Sequence, residues 1–344
     1  MDTKIVKIDK DNINKREIEE LGKIIASGGT VAFPTETVYG LGANAFDTDA
    51  INKIYKAKGR PSDNPLIVHF ADIESIKEAV FEITPEAKLL LSHFSPGPLT
   101  VILKKSDKIP TAITAGLDTV AVRIPSDKIA RELIKAAKVP IAAPSANLSG
   151  KPSPTTPHHV VDDLMGRVDA IIDGGNCDVG LESTVIDMSK SIPVILRPGG
   201  ITPADIKKLI PNIEIDKHIL NAVKENEIPK CPGMKYKHYA PDADVTVIEG
   251  NAKNIKKKID ELLLSSKNTK TGVITVTNQD YDADLVINAG SSNKEYAKNL
   301  FRILREFDER NIDVVFAEFI YDEDFGLAVK NRLYKSAGNK VISV

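Results

Sequence analysis

Apolar residues follow two different periods in the first 210 residues of the chain. Between Glu17 and Ser27, four aliphatic residues recur at helical spacing on one face, and Gly28-Gly29 ends the pattern. Short apolar runs such as Thr30–Phe33 and Leu66–Phe70 instead indicate buried strands. Because helical and strand patterns alternate, this part of the chain predicts an open twisted α/β sheet domain.

Gly, Pro and capping residues set the boundaries of the remaining elements of this domain. The predicted strands are Thr30–Phe33, Leu66–Phe70, Val101–Lys104, Thr119–Ile124, Val139–Ala143, Ala170–Asp173, Ser183–Met188 and Pro193–Leu196. The predicted helices are Glu17–Ser27, a helix through Ile51 and Tyr55 that Gly59 ends, Ile73–Val80 capped by Asp72, Glu86–His93, Asp127–Ala137 capped by Ser126, and Pro203–Leu209.

A second alternating pattern begins at Asp244, after a segment, residues 211–241, that lacks periodicity and is rich in Lys, Tyr and Pro. It predicts a smaller Rossmann-like α/β/α domain over residues 242–344, with residues 1–210 as the larger domain and 211–241 as a linker. Its predicted strands are Val245–Glu249, Gly272–Val276, Leu285–Asn288 and Val314–Phe319, and its predicted helices are Asn254–Leu264, Lys294–Phe307 and Gly326–Ala337.

The segment Gly40–Ala45 formally matches the GxGxxA pattern of dinucleotide-binding folds. In that pattern the first glycine follows a strand directly, and a helix opens at the last position. Here Pro34–Tyr39 separates the strand from Gly40, and the next helix begins only near Thr48. We therefore interpret these glycines as sites of close backbone packing.

The composition is that of an ordinary globular protein. Of the 344 residues, 42% are hydrophobic and 27% charged, and the net charge of −2 provides no global field for wrapping nucleic acid or coating an anionic membrane. Any anion site must therefore be local.

Cys177 and Cys231 form no CxxC pair, which argues against a disulfide framework or a zinc ribbon. The N-terminal segment has no signal-peptide core, so a cytoplasmic protein without membrane segments is expected.

The densest group of candidate binding residues lies in the stretch KAKGRPSDNPLIVHF, Lys56–Phe70. The loop between its predicted helix and strand carries Lys58, Arg60, Ser62 and Asn64. A planar guanidinium beside a point-like ammonium suits a polyphosphate. The alternative is a solvated surface loop with an ordinary number of cations.

Arg123 lies on the predicted strand Thr119–Ile124, on the face opposite Val120, Val122 and Ile124. Its side chain is therefore expected to point out of the apolar layer. Two interpretations remain open from the pattern: a cation that binds an anionic ligand, or a half-exposed strand cation paired with a neighbouring carboxylate.

No motif for a covalent nucleophile or a metal centre is present. P-loop, HExxH, GxSxG and paired-cysteine patterns are all missing, and the dipeptide His158-His159 stands alone in a polar segment. What remains is a set of cations, hydroxyls and one imidazole, namely Lys58, Arg60, Arg123, Arg197, Thr35, Ser62, Ser145, Ser183 and His69. Such a set favours positioning and charge neutralisation, as in nucleotidyl transfer.

Seven motifs follow one another along the chain: FPTETVYGLG (Phe33–Gly42), KAKGRPSDNPLIVH (Lys56–His69), SPGPLT (Ser95–Thr100), VAVRIP (Val120–Pro125), APSAN (Ala143–Asn147), ESTV (Glu182–Val185) and LRPGG (Leu196–Gly200). Together they resemble the motifs of the YrdC-like family of threonylcarbamoyl-AMP synthases. GMKYKHYAP (Gly233–Pro241) with the second domain resembles the longer, two-domain form of that enzyme. The likeness covers essentially the whole chain.

The resemblance implies that L-threonine, bicarbonate and ATP are converted into L-threonylcarbamoyladenylate, pyrophosphate and water. The product would feed N6-threonylcarbamoyladenosine (t6A) formation in tRNA, with a downstream threonylcarbamoyl-transferase complex as a partner and weak tRNA contact as a further expectation. It also implies Mg²⁺ carried on the ATP phosphates, and the sequence shows no dedicated carboxylate cage or protein metal site.

The resemblance also assigns residues in three groups. Lys58 and Arg60 would act on the phosphates as the catalytic cations. The L-threonine site would consist of Thr35, His69, Arg123, Ala143 and Ser183. The ATP site would consist of Lys58, Ser62, Thr119, Ser145, Ser153, Arg197 and Tyr236. Tyr236 belongs to the linker, so residues 211–241 would act as a lid over the catalytic domain of residues 1–210.

Two alternatives stay open. One is a carbamoyl-adenylate enzyme of hydrogenase maturation, which uses a related domain, although two isolated cysteines argue against its zinc-finger assemblies. The other is a non-catalytic RNA-binding module. The near-neutral charge and the lack of an aromatic and basic stripe argue against it.

Overall fold

The computed structural model describes residues 2–219, 231, 239–266, 268–322 and 325–344. The chain divides into two compact units: Met1–Ser149 with Ser153–Lys235, and Gly150–Pro152 with Tyr236–Val344. Within these described ranges, no helix is both long enough and apolar enough to cross a membrane.

The strands described in the first unit form one mixed sheet in the order β1-β8-β2-β3-β7-β4-β6-β5-β9-β10-β11. They are β1 (Lys4–Lys7), β2 (Val31–Phe33), β3 (Gly40–Asn44), β4 (Ile67–His69), β5 (Leu99–Lys104), β6 (Thr119–Arg123), β7 (Ile141–Ala142), β8 (Ala170–Asp173), β9 (Thr184–Asp187), β10 (Val194–Arg197) and β11 (Glu214–Ile215). The α/β fold class predicted for this unit is confirmed.

Three of these strands, β1, β3 and β11, were not predicted. β1 buries only one of its four residues, and β11 has two exposed residues, so neither shows an apolar run. β3 contains two glycines and forms because it pairs with β2 and β7. A Cβ atom at Gly42 would lie 2.6 Å from Ile141 Cγ2 and 2.7 Å from the Phe33 ring. Close packing of these glycines is confirmed, and they lie in a strand rather than at a helix start.

Helices of the first unit pack against this sheet. They are α1 (Lys15–Ala26), α2 (Thr48–Lys58), α3 (Ile73–Ile76), α4 (Pro85–Phe94), α5 (Thr111–Thr114), α6 (Lys128–Ala137), α7 (Pro157–Leu164) and α8 (Pro203–Leu209), with a 3₁₀ turn at Lys217–Ile219. α1 and α6 share one core cluster with β2, β7 and β8.

Two predictions about these helices were wrong, and two helices were missed. α3 ends four residues earlier than predicted, and α5 and α7 are the missed helices. α7 contains His158 and His159, which the sequence placed only in a polar segment. The cap of α6 is Asp127, whose carboxylate accepts a hydrogen bond from Ala130 N at 2.9 Å, rather than Ser126.

The strands described in the second unit form an all-parallel sheet in the order β14-β13-β15-β12-β16. Its elements are β12 (Asp244–Glu249), α9 (Ala252–Ser265), β13 (Thr271–Thr275), β14 (Leu285–Asn288), α10 (Asn293–Glu309), β15 (Val314–Phe319), α11 (Gly326–Ser336) and β16 (Val341–Ser343). α9 packs on Val273 and Phe316, and α10 packs with α11. The predicted α/β class is again confirmed, and β16 was missed.

Candidate active site

Three polar side chains from neighbouring strands form one row across the sheet of the first unit. His69 on β4 lies opposite Arg123 on β6, and Arg123 lies opposite Thr100 on β5. Residues paired in this way project from the same face of a sheet. Their exposed fractions are 3%, 4% and 0%. A polar row this deeply buried requires hydrogen-bond partners.

Arg123 has a carboxylate partner from the loop between β2 and β3. Its terminal nitrogen Nη2 donates to Glu36 Oε1 at 2.8 Å, and both side chains are buried. The half-exposed position considered for Arg123 is therefore wrong, whereas the carboxylate partner in that interpretation is present. Its Nε atom is buried and has no hydrogen-bond partner among the described residues.

His69 is a neutral imidazole in this environment. Burial lowers its pKa to about 3, and the positive charge of Arg123 acts in the same direction, against weaker opposing effects of the Ile67 and Ile141 backbones. Its Nδ1 atom has no hydrogen-bond partner among the residues described. A buried polar atom without a hydrogen-bond partner lowers the folding stability by about 1–3 kcal/mol. A polar ligand bound here would recover that cost at both His69 Nδ1 and Arg123 Nε.

Thr35 lies two residues after β2, and Ala143 directly follows β7. Thr35 Oγ1 donates to Val38 O at 2.6 Å and lies 2.8 Å from Thr37 Oγ1. Ala143 N donates to Ile67 O at 2.9 Å, two residues before His69. Both residues are buried, so they contribute fixed walls rather than mobile groups.

Ser183 links the row to Arg197. Its hydroxyl lies 2.7 Å from Thr100 Oγ1 and accepts from Arg197 Nη2 at 3.1 Å, and its carbonyl oxygen accepts from Arg197 Nε at 3.0 Å. A Cβ atom at Gly199 would lie 2.4 Å from both Glu182 O and Thr184 N. The glycine is therefore required for the LRPGG segment to lie directly against ESTV.

Lys58 lies on the last turn of α2 and is 2% exposed, so its predicted position on the following loop was wrong. Its ammonium donates to Ser145 O and Asn147 O, both at 2.5 Å. α2 ends at Gly59, as predicted, in the left-handed conformation. Because a buried ammonium holds the loop after β7, Lys58 links α2 to the APSAN motif.

Arg60 folds back onto its own loop. Its Nη2 atom donates to Asn64 O at 3.2 Å and to Pro65 O at 3.1 Å. The Asn64 side chain is buried, and its Oδ1 atom has no partner among the described residues. Ser62 in the same loop is exposed. The stretch therefore combines a buried Lys58 with a half-exposed Arg60, and it is not a plain solvated loop.

The remaining residues assigned to ATP occupy separate positions. Ser145 Oγ lies 2.5 Å from Asn147 Oδ1, and Ser153 Oγ donates to Glu182 Oε1 at 2.6 Å. Thr119 is half-buried at the opposite end of β6 from Arg123, about 13 Å away at roughly 3.3 Å per residue. The fold therefore does not place Thr119 next to the buried row. Tyr236 lies outside the described residues.

Four polar residues of the site are not in the three groups that the resemblance assigned. They are Glu36, Thr100, Asn147 and Glu182, and each belongs to one of the seven motifs. Glu36 at a strand end was the clearest available signal, because strand ends of α/β sheets often carry ligand contacts. What the sequence lacked was any indication that Glu36 contacts Arg123.

A second group of ionisable side chains surrounds Glu36. Burial raises the pKa of Asp127 to about 6, the hydrogen bond from Ala130 opposes this shift, and the negative charges of Glu36 and Asp178 add to it. Burial also raises the pKa of the Cys177 thiol well above its usual range, and Asp127 adds to that shift. Cys177 is therefore a neutral thiol and not an activated nucleophile.

The donor groups here suit an anion better than a metal ion. Within the described part of the first unit, no three ligand atoms of His, Cys, Asp or Glu gather closely enough to hold an ion. Cationic and hydroxyl groups dominate instead. A divalent cation fits such a site when phosphate oxygens of a substrate supply its ligands.

The fold and the site thus define an α/β protein with a buried polar row that contains a cation, and comparisons with known proteins identify its family. The Sua5/YciO/YrdC family model, described as "Telomere recombination", matches residues 23–199, and the model described as "Threonylcarbamoyl-AMP synthase, C-terminal domain" matches residues 201–338. The chain belongs to the Sua5/YrdC family, in the long form that carries the Sua5 C-terminal domain.

Relatives match over almost the full length. The chain is 48% identical to a Pyrococcus abyssi protein named threonylcarbamoyl-AMP synthase, over 97% of this chain and 98% of that one. It is 47% identical to the Bacillus subtilis protein of the same name, over 97% and 96% of the two chains. The crystal structure of P. abyssi Sua5 complexed with L-threonine superposes with a TM-score of 0.95 at 47% identity, covering 99% of this chain and 100% of that one.

Proposed function

We propose that this chain is an L-threonylcarbamoyladenylate synthase, which converts L-threonine, bicarbonate and ATP into threonylcarbamoyl-AMP, pyrophosphate and water. The observation that carries the proposal is the buried row of His69 and Arg123, with two unmet nitrogen atoms, in a chain similar over its full length to synthases of that name. P. abyssi Sua5 binds L-threonine on the same fold.

Arg123 is the proposed partner of the threonine carboxylate. Its guanidinium is held on one side by Glu36 and keeps its buried Nε atom available to a ligand. His69 is neutral, so it would orient the amino acid through a hydrogen bond and would not add charge. Thr35, Ala143 and Ser183 are buried around this row, which supports their assignment to the same substrate.

The phosphates are proposed to bind on the side of Lys58, Arg60 and Ser145. Lys58 and Arg60 both donate hydrogen bonds to loop carbonyl oxygens in this structure. ATP phosphates would either replace some of these carbonyls as acceptors or bind to the loops that the two cations hold in place. Arg197, Ser62, Ser153 and Thr119 remain proposed ATP contacts. Of these four, Thr119 has the weakest support because of its distance along β6 from Arg123.

The chemistry requires an anionic nucleophile beside a phosphate ester. The threonine amine and bicarbonate condense to a carbamate with loss of water. A carbamate oxygen then forms a bond to the α-phosphorus while the bond to the β-phosphate oxygen breaks, and pyrophosphate leaves. No protein nucleophile is needed, so cations that neutralise charge and hold both reactants in line would supply the catalysis. Mg²⁺, when present, would neutralise charge on the ATP phosphates.

All of the assigned residues that the structure describes lie in the first unit. This distribution supports residues 1–210 as the catalytic domain and leaves residues 242–344 without an assigned chemical step. A cytoplasmic location, supply of the product to a threonylcarbamoyl-transferase complex for tRNA t6A formation, and weak direct contact with tRNA are further parts of the proposal.

The decisive experiment measures pyrophosphate release from ATP in the presence of bicarbonate, with L-threonine, L-serine or no amino acid, followed by mass spectrometry of the nucleotide product. Threonine-dependent release with the mass of threonylcarbamoyl-AMP is the expected result. An absence of release in all three mixtures, with RNA bound in a steeply salt-dependent manner, would instead favour the RNA-binding module.

A further inference from the structure

A buried carboxylate stands beside the cation that is proposed to receive a substrate carboxylate. Glu36 Oε1 lies 2.8 Å from Arg123 Nη2, and the two side chains are 7% and 5% exposed. The other carboxylate oxygen, Oε2, accepts a hydrogen bond from Ser126 N at 3.1 Å. The Glu36 carbonyl oxygen accepts from Val179 N at 2.8 Å. Glu36 is thus held by three contacts from two segments of the first unit, the one that contains Arg123 and Ser126 and the one that contains Val179.

Stability alone does not explain this pair. Two charges lose their hydration on burial, so well-packed apolar residues of similar volume often stabilise a core as much as a buried ion pair or more. The geometry offers another reason. A guanidinium has five N–H donors in a planar fork, and Glu36 binds one corner of it. The buried Nε atom has no partner among the described residues, so the carboxylate fixes the plane of the fork without saturating it.

The orientation of that plane also depends on where Glu36 is anchored. Ser126 lies just before α6, and it follows Arg123 by three residues on the same segment. One carboxylate therefore binds both the side chain of Arg123 and the backbone that leaves β6. Rotation of the guanidinium would break the first contact, and a shift of the backbone after the strand would break the second.

We infer that Glu36 is the positioning residue of Arg123: it holds the guanidinium plane so that Nε and the adjacent donors face the carboxylate of the amino-acid substrate. This inference rests on the proposed function and deepens it, because it names the group that aligns threonine. Glu36 acts through Arg123 and does not itself bind the amino acid. A misplacement of about 1 Å can cost about a hundredfold in rate.

The test is Glu36→Gln, which keeps the shape but replaces one acceptor oxygen with a donor, so either Arg123 or Ser126 N loses its acceptor. We expect KM for L-threonine to rise about tenfold to a hundredfold, with KM for ATP unchanged. Glu36→Asp keeps the negative charge, so its KM for L-threonine should lie between those of the unchanged chain and Glu36→Gln. The matched control is Asp187→Asn. Asp187 is similarly buried, but among the described residues its carboxylate accepts hydrogen bonds only from Ser189.

A double mutant separates positioning from direct substrate contact. If Glu36 acts only through Arg123, Glu36→Gln combined with Arg123→Lys should lose no more threonine affinity than Arg123→Lys alone. If the losses of threonine affinity in the two single variants multiply in the double variant, the positioning role is overturned in favour of direct contact with the substrate. A lower melting temperature of Glu36→Gln with an unchanged KM for threonine would leave only a structural role and would also overturn it.

The unchanged chain keeps this test separate from the proposed function. If it forms threonylcarbamoyl-AMP and Glu36→Gln behaves like Asp187→Asn, the positioning role fails and the proposed function stands. If the unchanged chain neither binds threonine nor forms the product, the proposed function fails, and the role of Glu36 in aligning threonine fails with it.

Discussion

Glu36 in the first unit and Glu318 in the second are both buried carboxylates in an α/β sheet unit, but their surroundings differ. Glu318 on β15 is fully buried and accepts hydrogen bonds from Val276 N at 2.7 Å and from Thr277 N at 3.0 Å. It also accepts from the hydroxyls of Thr275, Thr277 and Tyr281. Glu36 binds one backbone N–H and one corner of a cation.

The difference separates a structural carboxylate from one in the proposed threonine site. All the donors to Glu318 are neutral, and they tie the loop after β13 to the central strand. Glu36 instead belongs to a row in which Arg123 Nε and His69 Nδ1 have no partner among the described residues. Buried groups with unmet hydrogen bonds are costly, and they indicate a ligand that satisfies them.

The largest effect is expected at Arg123. Arg123→Ala should abolish adenylate formation, but it also leaves Glu36 buried without its cation, at a cost of about 3–5 kcal/mol. Arg123→Lys keeps a cation for Glu36 and removes the Nε donor and the planar fork. We expect kcat/KM for threonine to fall about a hundredfold, measured by product formation. A wild-type value in a folded Arg123→Lys protein would remove Arg123 from the threonine site.

Lys58 tests the phosphate side of the same unit. Lys58→Ala should reduce adenylate formation by about a hundredfold or more, because a buried cation and the anchor of the Ser145 loop are both lost. Lys56→Ala is the matched control: it lies on the same helix, is exposed and should retain activity. Equal activity of the two variants in a pyrophosphate-release assay would contradict the assignment of Lys58.

His69 should give the first unit a stability that depends on pH. The pKa of His69 is about 3 in the folded chain against 6.5 in the unfolded chain, so the unfolded state binds more protons between these values. Its contribution to stability is complete above pH 6.5 and is lost as pH falls toward 3, in total on the order of 5 kcal/mol at about 1.36 kcal/mol per pKa unit.

His69→Gln should remove this dependence, measured as the difference between the two proteins in urea unfolding from pH 7 to pH 4. Asp127 contributes with the opposite sign, because its raised pKa of about 6 makes stability fall as pH rises from about 4 to 6. Since both proteins contain Asp127, its contribution cancels in the difference. Parallel stability curves for the two proteins would show that His69 is not held neutral.

The smallest effect is expected at Glu318, and it should concern stability alone. Glu318→Gln leaves at least one of its donors without an acceptor and should cost about 1–3 kcal/mol in the unfolding of the second unit. At temperatures well below melting, kcat should remain unchanged. Glu306→Gln, which removes a half-exposed ion pair with Arg302, is the control and should cost less than about 1 kcal/mol. A loss of kcat in Glu318→Gln without a loss of stability would contradict the comparison.

The sequence by itself determined the elements with a clear period and the identity of the motifs. α2 and α8 and the strands around Leu66–Phe70 and Val314–Phe319 follow from apolar spacing and from Gly and Pro positions, because these signals act over a few residues. β3 and α7 were missed because a glycine-rich strand and a short helix depend on packing partners that local propensity does not reveal.

Only the tertiary structure decided which polar residues meet. Glu36 and Arg123 are separated by 87 positions, and His69, Arg123 and Thr100 share a row only because β4, β6 and β5 pair in one register. A strand's own pattern shows which face is apolar, but it does not name the strand beside it. Burial of Arg123 and the neutral state of His69 follow from that pairing, since both depend on the protein packed around them.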